Sequence, residues 1–169
     1  MFKGNEIIGT VNWEAEKPYI DKITNLYERY KSAKTTKEKE RIYSEIDKLS
    51  SEAAKYVAPN ELSVIVQSLG GSGYNAYTTN DETVYVLSIP SNELEKWVRL
   101  ERTRFGGLVL RLFHTELETV YEEFNKNQDN DFFWVINDVN KKLYSGHPYG
   151  EKTTIGRPED LKNPSMKAI

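Results

Sequence analysis

Four carboxylates crowd one short stretch of this chain, HTELETVYEEFNK at residues 114–126: Glu116, Glu118, Glu122 and Glu123. Thr115 followed by Glu118 reads as a capping box and so as a helix start. On a helix Glu116 and Glu123 point the same way, about 10.5 Å apart along the axis, while Glu122 lies about 100° round from Glu123. Two acidic groups stacked on one face can serve a metal or a proton transfer. They can equally be a plain solvated face, the reading that composition alone favours. The chain has two histidines, His114 and His147, and no cysteine. A histidine-rich zinc site therefore cannot be completed from these residues, and disulfides and thiolate sites are excluded.

The elements that must position the carboxylates follow from periodicity. Residues 13–33 carry Ile20, Ile23, Leu26, Tyr27 and Tyr30 at helical spacing, and residues 35–57 carry Ile42, Ile46, Leu49, Ala53 and Val57. Thr35 with Glu38 offers a capping box for the second of these helices. Together they predict an antiparallel helical hairpin at about 13–58, packed on its own domain as a stabilising arm. Pro59 closes it, and a short helix at 61–69 ends at Gly70. The glycines at 70, 71 and 73 lack the Gly-Lys-Ser/Thr of a phosphate loop and follow a helix instead of preceding one, so turn chemistry accounts for them. Residues 74–79 and 83–89 are rich in β-branched and aromatic types around an Asn80-Asp81 turn, predicting a β-hairpin. Helices are expected at 93–105, capped by Ser91 or Asn92, at about 115–127, and at 131–144. Residues 145–169 read as loop, with a last helix starting near Ser165.

At 169 residues the chain suits one domain. Twenty-three basic and 26 acidic residues give a net charge of −3, no electrostatic case for nucleic acid or an anionic membrane. The longest apolar run, 132–136, is too short to span a bilayer. No signal-peptide core is present in the opening residues, and the sequence does not identify a compartment.

Several pieces together resemble one family, the pitrilysin (insulinase-like) zinc metallopeptidases, whose zinc motif is the inverted H-x-x-E-H. Met-Phe-Lys-Gly at the start resembles the segment after that motif. Gly73-Tyr74-Asn75-Ala76-Tyr77-Thr78, with Asp81, Thr83 and Tyr85 behind it, resembles the active-site edge strand and its neighbour. The run from Glu116 to Glu123 resembles the helix that gives the third zinc ligand. His147-Pro148-Tyr149-Gly150, then Thr154-Ile155-Gly156, and finally Asn163-Pro164-Ser165 resemble the loops downstream. The order is that of the family, and the matches run from Met1 to about Ser165.

The resemblance implies that Glu123 is a zinc ligand and that Glu116 is the carboxylate orienting groups beside the metal. It implies that Asn75, Ala76 and Tyr77 form the strand on which an extended peptide substrate is laid by β-augmentation. Neither His114 nor His147 matches a family ligand. The motif with two zinc histidines and the general base is absent, so the chain is expected to be an internal piece of the catalytic domain. On that expectation zinc belongs to the full-length parent, this chain alone binds none, and it does not cleave peptides by itself. The expected fold is α+β: one incomplete domain over 1–169, an antiparallel sheet with helices on one face and a protruding helical hairpin. Expected partners are the remainder of the peptidase or a partner subunit, with self-association through uncovered surface. The alternative is a non-catalytic peptide-binding or subunit-completing module of the same fold.

Overall fold

A computed structural model describes residues 3–169, so the first two residues of the Met-Phe-Lys-Gly match lie outside the described residues. Asn12 starts the first helix, α1 (Trp13–Ser32), by accepting the Ala15 N–H, with Glu14 and Glu16 in the positively polarised first turn. Thr35 caps α2 (Thr36–Ala53) by accepting the Glu38 N–H at 3.3 Å, as its spacing predicts. A 3-10 turn, Ala54–Tyr56, takes over where a continuous helix to residue 57 is expected.

Three helices follow from the remaining periodic segments. α3 (Glu61–Ser68) stops before Gly70, whose φ of +73° favours glycine. α4 (Leu94–Gly106) follows a 3-10 turn, Ser91–Glu93, and no side chain caps it, contrary to the reading of Ser91 or Asn92 as a cap. α5 (Phe113–Gln128) begins before the predicted capping box. Its start is Leu112, in the left-handed region at φ 57°, and Thr115 is already helical, its carbonyl accepting the Thr119 hydroxyl.

β1 (Ser72–Thr78) and β2 (Thr83–Ser88) pair antiparallel, with Asn75 opposite Val86, Ala76 opposite Tyr85 and Tyr77 opposite Val84. α6 (Asp131–Leu143) matches its predicted span. The tail, read as loop, contains α7 (Pro148–Glu151) and α8 (Pro158–Lys162), each with proline in its first turn. The architecture is α+β: among the described residues, eight α-helices and one two-stranded antiparallel sheet.

Two apolar clusters hold these elements. In the first, Ile23, Leu26 and Tyr27 of α1 meet Ile42, Ile46 and Ala53 of α2, with Phe113 and Leu117 of α5 and Met166 of the tail packed on them. The helical hairpin packs on its own domain as expected, and it forms one of the two core clusters instead of protruding. In the second, Ile8 joins Leu62 and Val66 of α3 and Leu100 of α4, and the β-hairpin covers them with Tyr74 and Leu87. The sheet's other face, with Asn75, Tyr77 and Val86, is exposed.

Candidate functional site

α5 is the wall between two open pockets. On one side Glu116 and Val120 line a cleft of about 460 Å³ with Lys3, Tyr85, Phe105 and Leu108. Glu116 is half-buried and pairs with the Lys3 ammonium at 2.8 Å. Glu123 is exposed two turns further along, on the same side of the helix by its seven-residue spacing. The rest of the lining comes from Arg104 and Phe105 of α4, from the connection that follows it, and from Tyr85 of the β-hairpin. Arg104 fixes this lining: its guanidinium stacks 4.9 Å from the Tyr85 ring and 4.6 Å from Phe105, and it pairs with Glu101 at 2.6 Å.

Asn75, Ala76 and Tyr77 stand together on β1, which among the described residues pairs only with β2 and so offers its other edge. Asn75 and Tyr77 are exposed and Ala76 is half-buried. The Ala76 N–H donates to Asn75 Oδ1 at 2.9 Å, so an incoming strand would have to displace that side-chain amide to use it. At the turn beyond, the Tyr149 hydroxyl donates to Asp81, joining the His147-Pro148-Tyr149-Gly150 loop to the hairpin. That bond raises the Tyr149 hydroxyl pKa above its ordinary value.

On the other side of α5, Glu118 and Glu122 are both exposed, and the capping box expected of Thr115 and Glu118 does not form. Glu118 caps nothing; it accepts the Tyr43 hydroxyl, and with Glu122 it borders a pocket of about 380 Å³ lined by Tyr30, Tyr43 and Tyr121. Burial first, then the Glu118 bond, hold the Tyr43 hydroxyl far above its ordinary pKa, so it stays a neutral donor.

His114 lies in the first turn of α5 and is buried, its Nδ1 2.7 Å from the Tyr27 hydroxyl and its Nε2 3.7 Å from an Asp47 oxygen. The Asp47 oxygen is too far for a hydrogen bond, so Nε2 has no hydrogen-bond partner among the described residues, while Nδ1 shares one with the Tyr27 hydroxyl. His147 is exposed and accepts the Tyr149 N–H at the start of α7. Both histidines are therefore used structurally. Among the described residues no group of three or more His, Cys, Asp or Glu side chains is placed to hold a metal ion. No described helix is long and apolar enough to cross a membrane.

Among the described residues the most deeply buried ion pair carries no signal in the sequence. Arg111 binds Glu16 through Nε at 2.6 Å and Nη2 at 2.9 Å, beneath the loop of residues 3–12. Nothing local signals it, because the partners are far apart in sequence and neither sits in a recognisable motif. No protein-family model matches the chain, and no curated protein matches it either.

Proposed function

We propose that this chain supplies the third metal ligand and the substrate strand of a zinc metallopeptidase of the inverted-motif, pitrilysin-like type. Glu123 is the ligand, Glu116 orients groups beside it, and Asn75, Ala76 and Tyr77 pair with an extended peptide. One observation carries the reading: the Glu116 side of α5 opens on a cleft that also takes in Tyr85, the residue paired with Ala76 across the hairpin. The free β1 edge supplies the main-chain donors and acceptors that β-augmentation needs.

The residues present do not by themselves fit a catalytic zinc. Such a site takes three protein ligands, and one carboxylate from α5 is a third of that set. His114 is committed to Tyr27, and His147 to the start of α7. The imidazoles and the general base belong to an H-x-x-E-H segment that this sequence does not contain, so peptide hydrolysis is a property of the completed protein. The chain's own residues seat the peptide and place one carboxylate.

The test begins with the coding sequence ahead of the Met1 codon. An in-frame H-x-x-E-H segment supports the reading, and the joined protein should then bind one zinc and cleave extended peptides. Glu123→Gln in that protein should weaken zinc binding, because a neutral amide replaces the anionic oxygen ligand. Unchanged zinc affinity in this variant overturns the assignment.

A specific observation also favours the second reading, an interaction module that completes another subunit. α6 has no buried residue, although Phe132, Val135, Ile136, Val139 and Leu143 share one face. A start site with no zinc segment ahead of it would favour this reading over the first.

A further inference from the structure

The pocket on the far side of α5 has a chemistry of its own, independent of the metallopeptidase reading. Its walls come from the helical hairpin (Tyr30, Tyr43), from α5 (Glu118, Tyr121, Glu122) and from α8 (Lys162). Aromatic faces attract cations within about 6 Å of the ring centroid. Two of these rings already carry one: the Lys162 ammonium lies 4.9 Å from the Tyr121 centroid, and the Lys39 ammonium lies 5.1 Å from Tyr30. The two carboxylates of the wall, Glu118 and Glu122, balance these two resident ammonium groups, so a cation that replaces one of them leaves the charge of the site unchanged. A pocket of about 380 Å³ also has room beyond what those two side chains fill.

The two lysines are not held alike. Lys39 donates to Asn163 Oδ1 at 2.6 Å and is fixed. Lys162 is exposed, stands on the last residue of the five-residue α8, and has Tyr121 as its pocket partner.

We propose that this tyrosine-lined pocket binds the alkylammonium side chain of a lysine from a basic peptide, and that Lys162 is its internal competitor. An incoming ammonium takes the Tyr121 face as Lys162 swings to solvent. Glu118 and Glu122 then compensate the new charge, and the aliphatic stem packs on Leu117 and Pro164. Tyr43 keeps Glu118 aimed at the pocket through its hydroxyl.

The experiment is an NMR titration of the full chain with Nα-acetyl-lysine methylamide, followed at the ring resonances of Tyr30 and Tyr121. The norleucine analogue, which keeps the four-carbon side chain but lacks the ammonium, is the control probe. The lysine probe should give saturable shifts at both rings that weaken with salt, and the norleucine probe should give none. Lys162→Ala should tighten binding by about fivefold, because it removes the resident cation, and Glu122→Gln should weaken it by a similar factor. Near-UV circular dichroism establishes that each variant keeps its packing. Equal responses to both probes overturn the proposal, as does a folded Lys162→Ala protein that binds no more tightly than the parent.

Discussion

Arg111 and Glu16 lie edge to edge, Nε to Oε1 at 2.6 Å and Nη2 to Oε2 at 2.9 Å, with side-chain exposures of 1% and 0%. The remaining guanidinium hydrogens go to the carbonyls of Lys3, Ile8 and Asn5. Arginine has five N–H donors, and this site gives each of them an acceptor. The pair therefore joins three things at once: the start of α1, the strand-like connection before α5, and the loop of residues 3–12. Through Lys3, that loop also reaches Glu116.

Removing one partner of such a pair leaves an uncompensated buried charge. Glu16→Ala should lower unfolding stability by about 3–5 kcal/mol, read from urea denaturation. Arg111→Lys should also destabilise, because an ammonium cannot reproduce the two parallel bonds to Glu16. A Glu16→Ala loss of under about 1 kcal/mol, within the range of an exposed pair, would contradict the bond network described here.

The loop around this pair depends on glycine. A Cβ on Gly4 would fall 2.0 Å from Arg111 Nη1 and 2.2 Å from the Ile8 carbonyl oxygen, on a backbone with φ of +137°. Gly4→Ala should cost about 1–3 kcal/mol from backbone strain alone, with displacement of the guanidinium added to it. Gly106 has open space around its Cβ position and no positive φ, so Gly106→Ala should be near neutral or stabilising. Thermal melts of the two variants should separate clearly. Equal shifts would mean that the loop does not close on Arg111 as described.

These residues mark the boundary of what the sequence discloses. α1, α2 and the β-hairpin were legible because their apolar spacing and cap residues act within a few positions of one another. Thr35 caps as expected, whereas Thr115 does not. Leu112 adopts a left-handed conformation and starts α5 two residues early, putting Phe113 and His114 on the core. Tertiary packing overrode a local signal there. Arg111 and Glu16, and Glu118 with Tyr43, are pairings between distant elements and leave no periodic trace. The two candidate carboxylates were legible because a seven-residue spacing fixes a helix face whatever the helix packs on. Which side of α5 would be a cleft was not legible.

The tail should respond to acid. Glu28 accepts the Ser165 hydroxyl at 2.7 Å and the Lys167 N–H at 3.3 Å. The Ser165 bond, followed by the Lys167 N–H and nearby lysine charge, holds its pKa below the ordinary 4.5. A depressed carboxylate stabilises the docked tail above the ordinary value, and that contribution is lost as pH falls from 4.5 through the lowered folded value. Carboxyl NMR should find Glu28 titrating below ordinary glutamates, with the buried Met166 methyl shifting alongside. Ser165→Ala should move Glu28 back toward 4.5. A Glu28 pKa unchanged by Ser165→Ala would break the link between tail and carboxylate.

The uncovered surface of α6 carries the last prediction. Phe132, Val135, Ile136, Val139 and Leu143 recur at spacings of three and four, so they form one stripe, and all are exposed, Phe132 at 68% and Leu143 at 71%. Isolated exposed apolar side chains are ordinary, but a contiguous stripe on one helix marks an association surface. The free edge of β1 adds unpaired main-chain groups, a second route to the same outcome. Sedimentation velocity should therefore show association that grows with concentration. Ile136→Asp places a charge in the middle of the stripe without disturbing a buried contact, so it should shift the distribution toward monomer at little cost in stability. Substitution of Thr78, at the hairpin end of β1, by Pro blocks the strand edge while leaving the α6 stripe intact, at the cost of the Thr78–Thr83 hydroxyl bond, and so separates the two routes. If Ile136→Asp alone restores monomer, the helix stripe drives association. If only the strand variant does so, the edge drives it. A protein that stays monomeric at every concentration would show that neither surface is adhesive enough to matter.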